Sequence, residues 1–97
     1  MEFLIRRTDG EWFDLPWNRR SEILRPNSFA SRPIEGWGNH RIEVSGCEVS
    51  FSDEDPGIQV SFETGEISVE TAEQIVKEIS ENITRVTGQG ARVIALG

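Results

Sequence analysis

From Arg41 to Phe62 the chain alternates between apolar and polar side chains, interrupted twice by turns. Ile42 and Val44 share one face, with Arg41, Glu43 and Ser45 on the other. After Gly46, the residues Cys47, Val49 and Phe51 alternate with Glu48, Ser50 and Ser52. After a second break, Ile58, Val60 and Phe62 alternate with Gln59, Ser61 and Glu63. A period of two is the signature of strands with one buried face, so three antiparallel strands are predicted here. The break Asp53-Glu54-Asp55-Pro56-Gly57 reads as a turn, in which Pro56 fixes φ and Gly57 accepts a positive φ.

The period then changes. From Val69, the residues Ala72, Ile75, Val76, Ile79, Ile83 and Val86 fall on one stripe at helical spacing. Glu73, Lys77, Glu78, Glu81 and Arg85 fall outside it and are expected to face water. Ser68 is a suitable helix cap with Glu70 in the first turn, and Gly88 and Gly90 stop the helix.

Flanking segments complete the picture. Glu2–Arg7 reads as a first strand, and Thr8-Asp9-Gly10 as a turn before a second strand, Glu11–Leu15, on which Phe13 and Leu15 fall on the face opposite Trp12. Residues 16–40 hold Pro16, Pro26, Pro33, Gly36 and Gly38, so they form an ordered loop with at most one short helical turn near Asn18–Leu24, capped by Asn18. Ala91–Leu96 is a last apolar strand, expected beside a buried neighbour. The predicted fold is a single α+β domain over residues 1–97. It is an antiparallel β-meander of five to six strands on one long C-terminal helix, in the order ββ-loop-βββ-α-β.

Composition narrows the possible partners. The formal charge is −7, and it is unevenly distributed. Residues 1–46 carry seven Arg and seven Asp/Glu, whereas residues 47–97 carry ten acids against Lys77, Arg85 and Arg92. Phosphates repel such a field, so neither nucleic acid nor an anionic membrane is an expected partner. The single cysteine cannot form an internal disulfide, and Met1–Arg7 has too few apolar residues for an export signal or a span, which makes the cytoplasm the expected compartment.

No cluster reaches a catalytic, cofactor or metal signature, and the chain is not expected to be an enzyme. Cys47 and His40 could pair as nucleophile and base, but Cys47 is in phase with Val49 and Phe51 and is expected in the core, with His40 at the surface. One Cys and one His fall short of a zinc site, and Asp53-Glu54-Asp55 lacks the alternating spacing of a calcium loop. Gly88-Gln89-Gly90 follows a helix, so it does not form a phosphate cradle. Asn82-Ile83-Thr84 matches a glycosylation acceptor, without an export signal to give it meaning. Trp17, Arg19, Arg20 and Trp37 combine cations and aromatics as interface anchors do, although packing of loop aromatics explains them equally.

The run Phe51-Ser-Asp-Glu-Asp-Pro-Gly-Ile-Gln-Val-Ser-Phe-Glu, followed by Ile67-Ser-Val-Glu-Thr-Ala-Glu-Gln-Ile-Val-Lys-Glu-Ile, resembles small immunity proteins of bacterial polymorphic toxin and contact-dependent inhibition systems. The resemblance spans residues 41–86. It implies a cytosolic antidote without catalysis that binds a cognate, often basic, toxin domain. The alternative is a small accessory or regulatory domain that binds another protein or a small ligand. For a basic partner, the expected surface is Asp53, Glu54 and Asp55 with Glu48, Gln59, Ser61 and Glu63 beside them. The competing surface is Trp17, Arg19, Arg20 and Trp37.

The phase of Cys47 yields a direct test. Its thiol should react slowly with a thiol reagent under native conditions and quickly in denaturant. Fast native labelling would place it outside the core.

Overall fold

A computed structural model describes residues 1–54 and 57–96. Its elements are β1 (Glu2–Arg7), a 3-10 turn (Trp17–Arg19), α1 (Arg20–Ile23), β2 (Ser31–Pro33), β3 (His40–Val44), β4 (Cys47–Glu54), β5 (Gly57–Thr64), α2 (Val69–Thr87) and β6 (Ala91–Ala95). The six strands form one antiparallel sheet in the order β2-β3-β4-β5-β1-β6. The fold is the α+β arrangement that the patterning predicts, with the long helix packed on the sheet.

The two periodicities set the core. Ile42, Val44, Cys47, Val49, Phe51, Ile58, Val60 and Phe62 are all buried, and they meet Ala72, Ile75, Val76, Ile79 and Ile83 of α2. Phe3 and Ile5 of β1 extend this layer, with Phe3 edge-on to Phe62 at 5.8 Å between centroids. The Ser68 hydroxyl accepts the Thr71 amide at 3.1 Å and caps α2. At the other end Gly88 takes φ 71 and its amide closes on the Thr84 carbonyl, a left-handed cap that glycine adopts without a Cβ penalty. The β3–β4 connection is the two-residue turn Ser45-Gly46, with φ 53 and 74, the geometry that matches the twist of a hairpin. Asp55 and Pro56 of the expected 53–57 turn lie outside the described residues. Gly57 has a separate reason to be glycine, because a Cβ there would sit 2.6 Å from the Ile5 carbonyl oxygen.

The expected second strand is replaced. Glu11–Leu15 follows the predicted turn but joins no ladder, because β6 pairs with β1 from Phe3 to Arg7 and β5 occupies the other side. Phe13 and Leu15 still face inward, packed against the core, while Trp12 is exposed. The segment is held by side chains instead. The Asp14 amide donates to Gln89 Oε1 at 3.1 Å, Gln89 Nε2 donates to the Asp14 carboxylate at 2.8 Å, and Arg7 Nη1 donates to the Trp12 carbonyl at 2.7 Å. The sixth strand comes instead from the proline-rich segment, where Ser31–Pro33 pairs with Ile42–Val44. The helical turn expected near Asn18–Leu24 forms at Trp17–Ile23, but Pro16 occupies the cap position and Asn18 caps nothing.

A polar latch on α2 holds the segment after α1. Asn82 is fully buried, and its Nδ2 donates to the Ile23 and Arg25 carbonyls at 3.3 and 2.9 Å, while its Oδ1 accepts Asn27 Nδ2 at 2.9 Å. One turn earlier, the Glu78 carboxylate accepts the Asn27 and Ser28 amides, each at 2.7 Å, and Gln74 Nε2 at 2.7 Å. Glu78 was expected to face water, and it is buried. The backbone donors of the 23–28 segment give it partners that sequence periodicity does not register. Ile23 and Leu24 are thereby seated in the core beside α2. Burial also removes Asn82 from any modifying enzyme in the folded state.

Replacing Asn82 with Leu keeps the volume but leaves the Ile23 and Arg25 carbonyls and the Asn27 amide without their partner. The expected loss is about 2–4 kcal/mol in denaturant unfolding, against about 0.5–1.5 kcal/mol for the control Ile79→Val. Equal losses for the two would remove the latch from this account.

Candidate functional site

The sheet face away from α2 was expected to be polar and solvated. It is polar, but its centre is buried. The register aligns Arg41 with Ser50, Ser50 with Ser61, and Ser61 with Glu2, all pointing away from the helix. Arg41, Ser50 and Ser61 are buried on this face. A register shift at Glu48/Val49 pairs Glu48 with Thr64 and brings Glu63 towards Arg41 beside Ser50. Arg41 then makes ion pairs to Glu48, at 3.2 Å, and to Glu63. Glu63 accepts the Ser50 hydroxyl and Glu48 accepts the Thr64 hydroxyl, each at 3.2 Å, so both carboxylates are oriented twice.

The Arg41 side chain is only 9 % exposed, and that burial works against its charge. The carboxylates of Glu63 and Glu48 outweigh it and push the guanidinium further up from its already high range. A buried ion pair of this kind is stable only while both partners stay, and removing one costs about 3–5 kcal/mol.

A loop between β2 and β3 closes over this cluster. Trp37 covers Arg41 with 5.7 Å from the guanidinium carbon to the ring centroid, yet the indole itself is 60 % exposed. Two glycines allow the approach. A Cβ at Gly36 would collide with Arg41 Cδ, and Gly38 takes φ 98 with the Phe51 carbonyl oxygen 3.0 Å from where a Cβ would stand. The loop is tied down by the Ile34 amide to the Arg41 carbonyl at 3.0 Å, the Asn39 amide to the Phe51 carbonyl at 2.9 Å, and Asn39 Oδ1 accepting the Asp53 amide at 2.8 Å. The last of these bonds connects the Trp37 loop to the acidic end of β4, where Asp53 and Glu54 are exposed.

The residues singled out from sequence are therefore regrouped. Trp37 joins Glu48, Glu63 and Glu54 on one face, although it was assigned to a rival surface. Asp53, expected on this face, is in phase with Phe51 and opposite Ile58, so its side chain lies on the helix side beside Phe13, Leu15 and Trp17. Trp17 instead packs half-buried against the core, with Arg19 paired to Glu22 at 3.2 Å and Arg20 Nη1 donating to the Trp17 carbonyl at 2.8 Å. Ser61 is buried and its hydroxyl bonds Glu2, while Gln59 is half-buried. Asp55 lies outside the described residues. Arg41 was not singled out at all. Its signal was present in the sequence, an outward arginine in a row whose neighbouring strands carry outward Glu48 and Glu63, but the register shift that brings Glu63 in is not encoded in the alternation.

The nucleophile–base pairing has no geometry. His40 is opposite Phe51 and Cys47 is opposite Val44, so they occupy opposite ends of the β3–β4 hairpin, about 13 Å apart along the strand. Cys47 is buried, and burial pushes its thiol up from the usual range. His40 is a correction. It is buried beside Phe51, at 5.8 Å between centroids, because it continues the inward phase of Ile42 and Val44. Burial, with the Arg20 charge adding to it, lowers its pKa. Among the described residues, no group of three or more His, Cys, Asp or Glu side chains is gathered to hold a metal ion. Among the described residues, no helix is long and apolar enough to cross a membrane. Comparison with protein-family models, with curated proteins and with solved structures gives no match for the chain.

Two buried titratable groups predict how stability varies with pH. Burial holds His40 below its unfolded pKa of about 6.5, so its contribution to stability is present above about 6.5 and is lost as pH drops below that value. Burial alone would raise the Glu78 carboxyl, but hydrogen bonds from Gln74, Ser28 and Asn27 hold it down to about 2. Its contribution is complete above about 4.5 and is lost as pH falls towards 2. Urea midpoints measured between pH 8 and 3 should decline in two stages. His40→Gln should remove the upper stage and Glu78→Gln should diminish the lower one. An upper stage that survives His40→Gln would assign it elsewhere.

Proposed function

We propose that this chain is a non-catalytic protein-binding module of the immunity type, which neutralises a cationic toxin domain by tight binding in the cytosol. The observation that carries the reading is Trp37. An indole with more than half its surface open to solvent is held in one place by a guanidinium that two carboxylates fix from below. Tryptophan is the side chain most enriched among binding hot spots, and an anchor fixed before contact loses little entropy on binding. Glu54, next to the Asp53 amide that Asn39 ties to the same loop, adds a negative rim. The net charge of −7 draws a basic partner towards that rim. The fusion of aromatic anchor and acidic rim into one surface favours a protein partner over a small ligand, since the Trp37 ring lies on a face and not in a cleft.

The test is a titration of the purified chain against the basic toxin domain encoded beside it, with toxin activity as a second readout. Trp37→Ala should weaken binding by about 30- to 1000-fold without unfolding the domain. Glu54→Ser should slow association and flatten its salt dependence while changing dissociation little. Arg19→Ser, on the other side of the sheet, should have no effect. Toxin activity that persists at excess wild-type chain refutes the immunity reading. Full affinity after Trp37→Ala refutes the site.

A further inference from the structure

The two edges of the sheet differ. The β2 edge is three residues long and ends in Pro33, which has no amide to offer a neighbour. The β6 edge runs for five residues without proline. The Leu96 amide donates to Glu2 and the Gly90 carbonyl accepts Thr8, so the even-numbered residues bond inward to β1. By the period of the strand, Ala91, Val93 and Ala95 direct their amides and carbonyls outward. Their side chains point to the α2 side, in register with Arg7, Ile5 and Phe3. There a groove of about 510 Å³ opens between β6 and α2, floored by Phe3, Val93 and Ala95 and walled by Glu70, Glu73 and Lys77. Val93 is 39 % exposed in it.

We infer that the β6 edge and this groove receive a second copy of the chain, antiparallel along β6, so that the two sheets become one. The segment Ala91-Arg92-Val93-Ile94-Ala95 is nearly self-complementary about its centre. With Val93 on a two-fold axis, Ala91 meets Ala95 of the second copy and Val93 meets Val93 of the second copy. All three outward residues thereby satisfy both backbone groups. The same axis, perpendicular to the sheet, keeps both helices on one face and runs them antiparallel across the seam. Glu70 and Lys77 bracket the groove wall two helical turns apart, so each Glu70 faces the Lys77 of the second copy. This pairing identifies the occupant. An unrelated strand would satisfy the backbone equally well, but only a second copy places a cation and an anion at these two positions in both directions. The surface is distinct from that of Trp37 and leaves it free on both copies, so the outcome of either test leaves the other standing.

Sedimentation and light scattering of the whole chain at about 1–100 µM should show a concentration-dependent species of twice the 11.0 kDa monomer. Val93→Pro should abolish it with the circular dichroism of the monomer preserved, because the lost amide faces outward. Glu70→Lys and Lys77→Glu should each weaken association about tenfold, and the double exchange should restore it. A chain that stays monomeric throughout that range overturns the inference. So does a dimer indifferent to Val93→Pro, or a double exchange no better than the singles. A monomer whose β6 amides gain exchange protection only with a partner protein bound would reassign the edge to that partner.

Discussion

A single nineteen-residue helix has to cover the apolar face of a six-stranded sheet. Such a helix is about 28 Å long but only about 10 Å across, whereas five strand spacings make the sheet about 24 Å wide. The helix is too narrow, and most of what is distinctive in the molecule follows from that shortfall. On one side, α1 and the segment behind it bring Ile23, Leu24 and Phe29 in beside α2, held by Glu78 and Asn82. Phe13, Leu15 and Trp17 from the irregular stretch extend the same cover. On the β6 side nothing of the described chain is laid over the edge, and the groove is what remains.

This constraint explains which parts of the fold were legible in the sequence. Wherever a segment had one apolar face and one wet face, period alone fixed it: β3, β4, β5 and α2 match from Ser68 to Gly88. The misreadings fall where a polar side chain is buried against a backbone. Glu78 counts as a surface acid on any hydropathy scale, yet Gln74, Glu78 and Asn82 recur at intervals of four beside the Ile75–Ile79–Ile83 stripe. A second stripe of hydrogen-bonding residues at helical spacing, in a chain with a proline-rich loop to anchor, was a readable sign. His40 was misplaced because it was considered as a reagent and not as the next inward position of its own strand. Glu11–Leu15 could not have been read, since what denies it a partner is β6, eighty residues further along.

The face opposite the helix shows a different economy. It has no second layer, so its central arginine is shielded by ion pairs, serine hydroxyls and one glycine-hinged loop instead of a core. Sequence patterning identified the outward acids but could not show that Glu48 and Glu63 are internally engaged by Arg41 while Glu54 is exposed. The candidate site is therefore partly a consequence of the fold: the loop that shields Arg41 is the one that presents Trp37.

The position of β1 bears on how the chain is made. It precedes the other described strands in the sequence, yet it lies inside the sheet between β5 and β6. Ile5, at 0 % exposure in the finished domain, pairs with Ile58 and Val93. Until both of those segments have been synthesised, β1 has no place to go, and the β3–β4 hairpin with its local turn can form only half of the core. Closure of the sheet therefore waits for β6, with a search dominated by distant contacts rather than a sequence of early local ones.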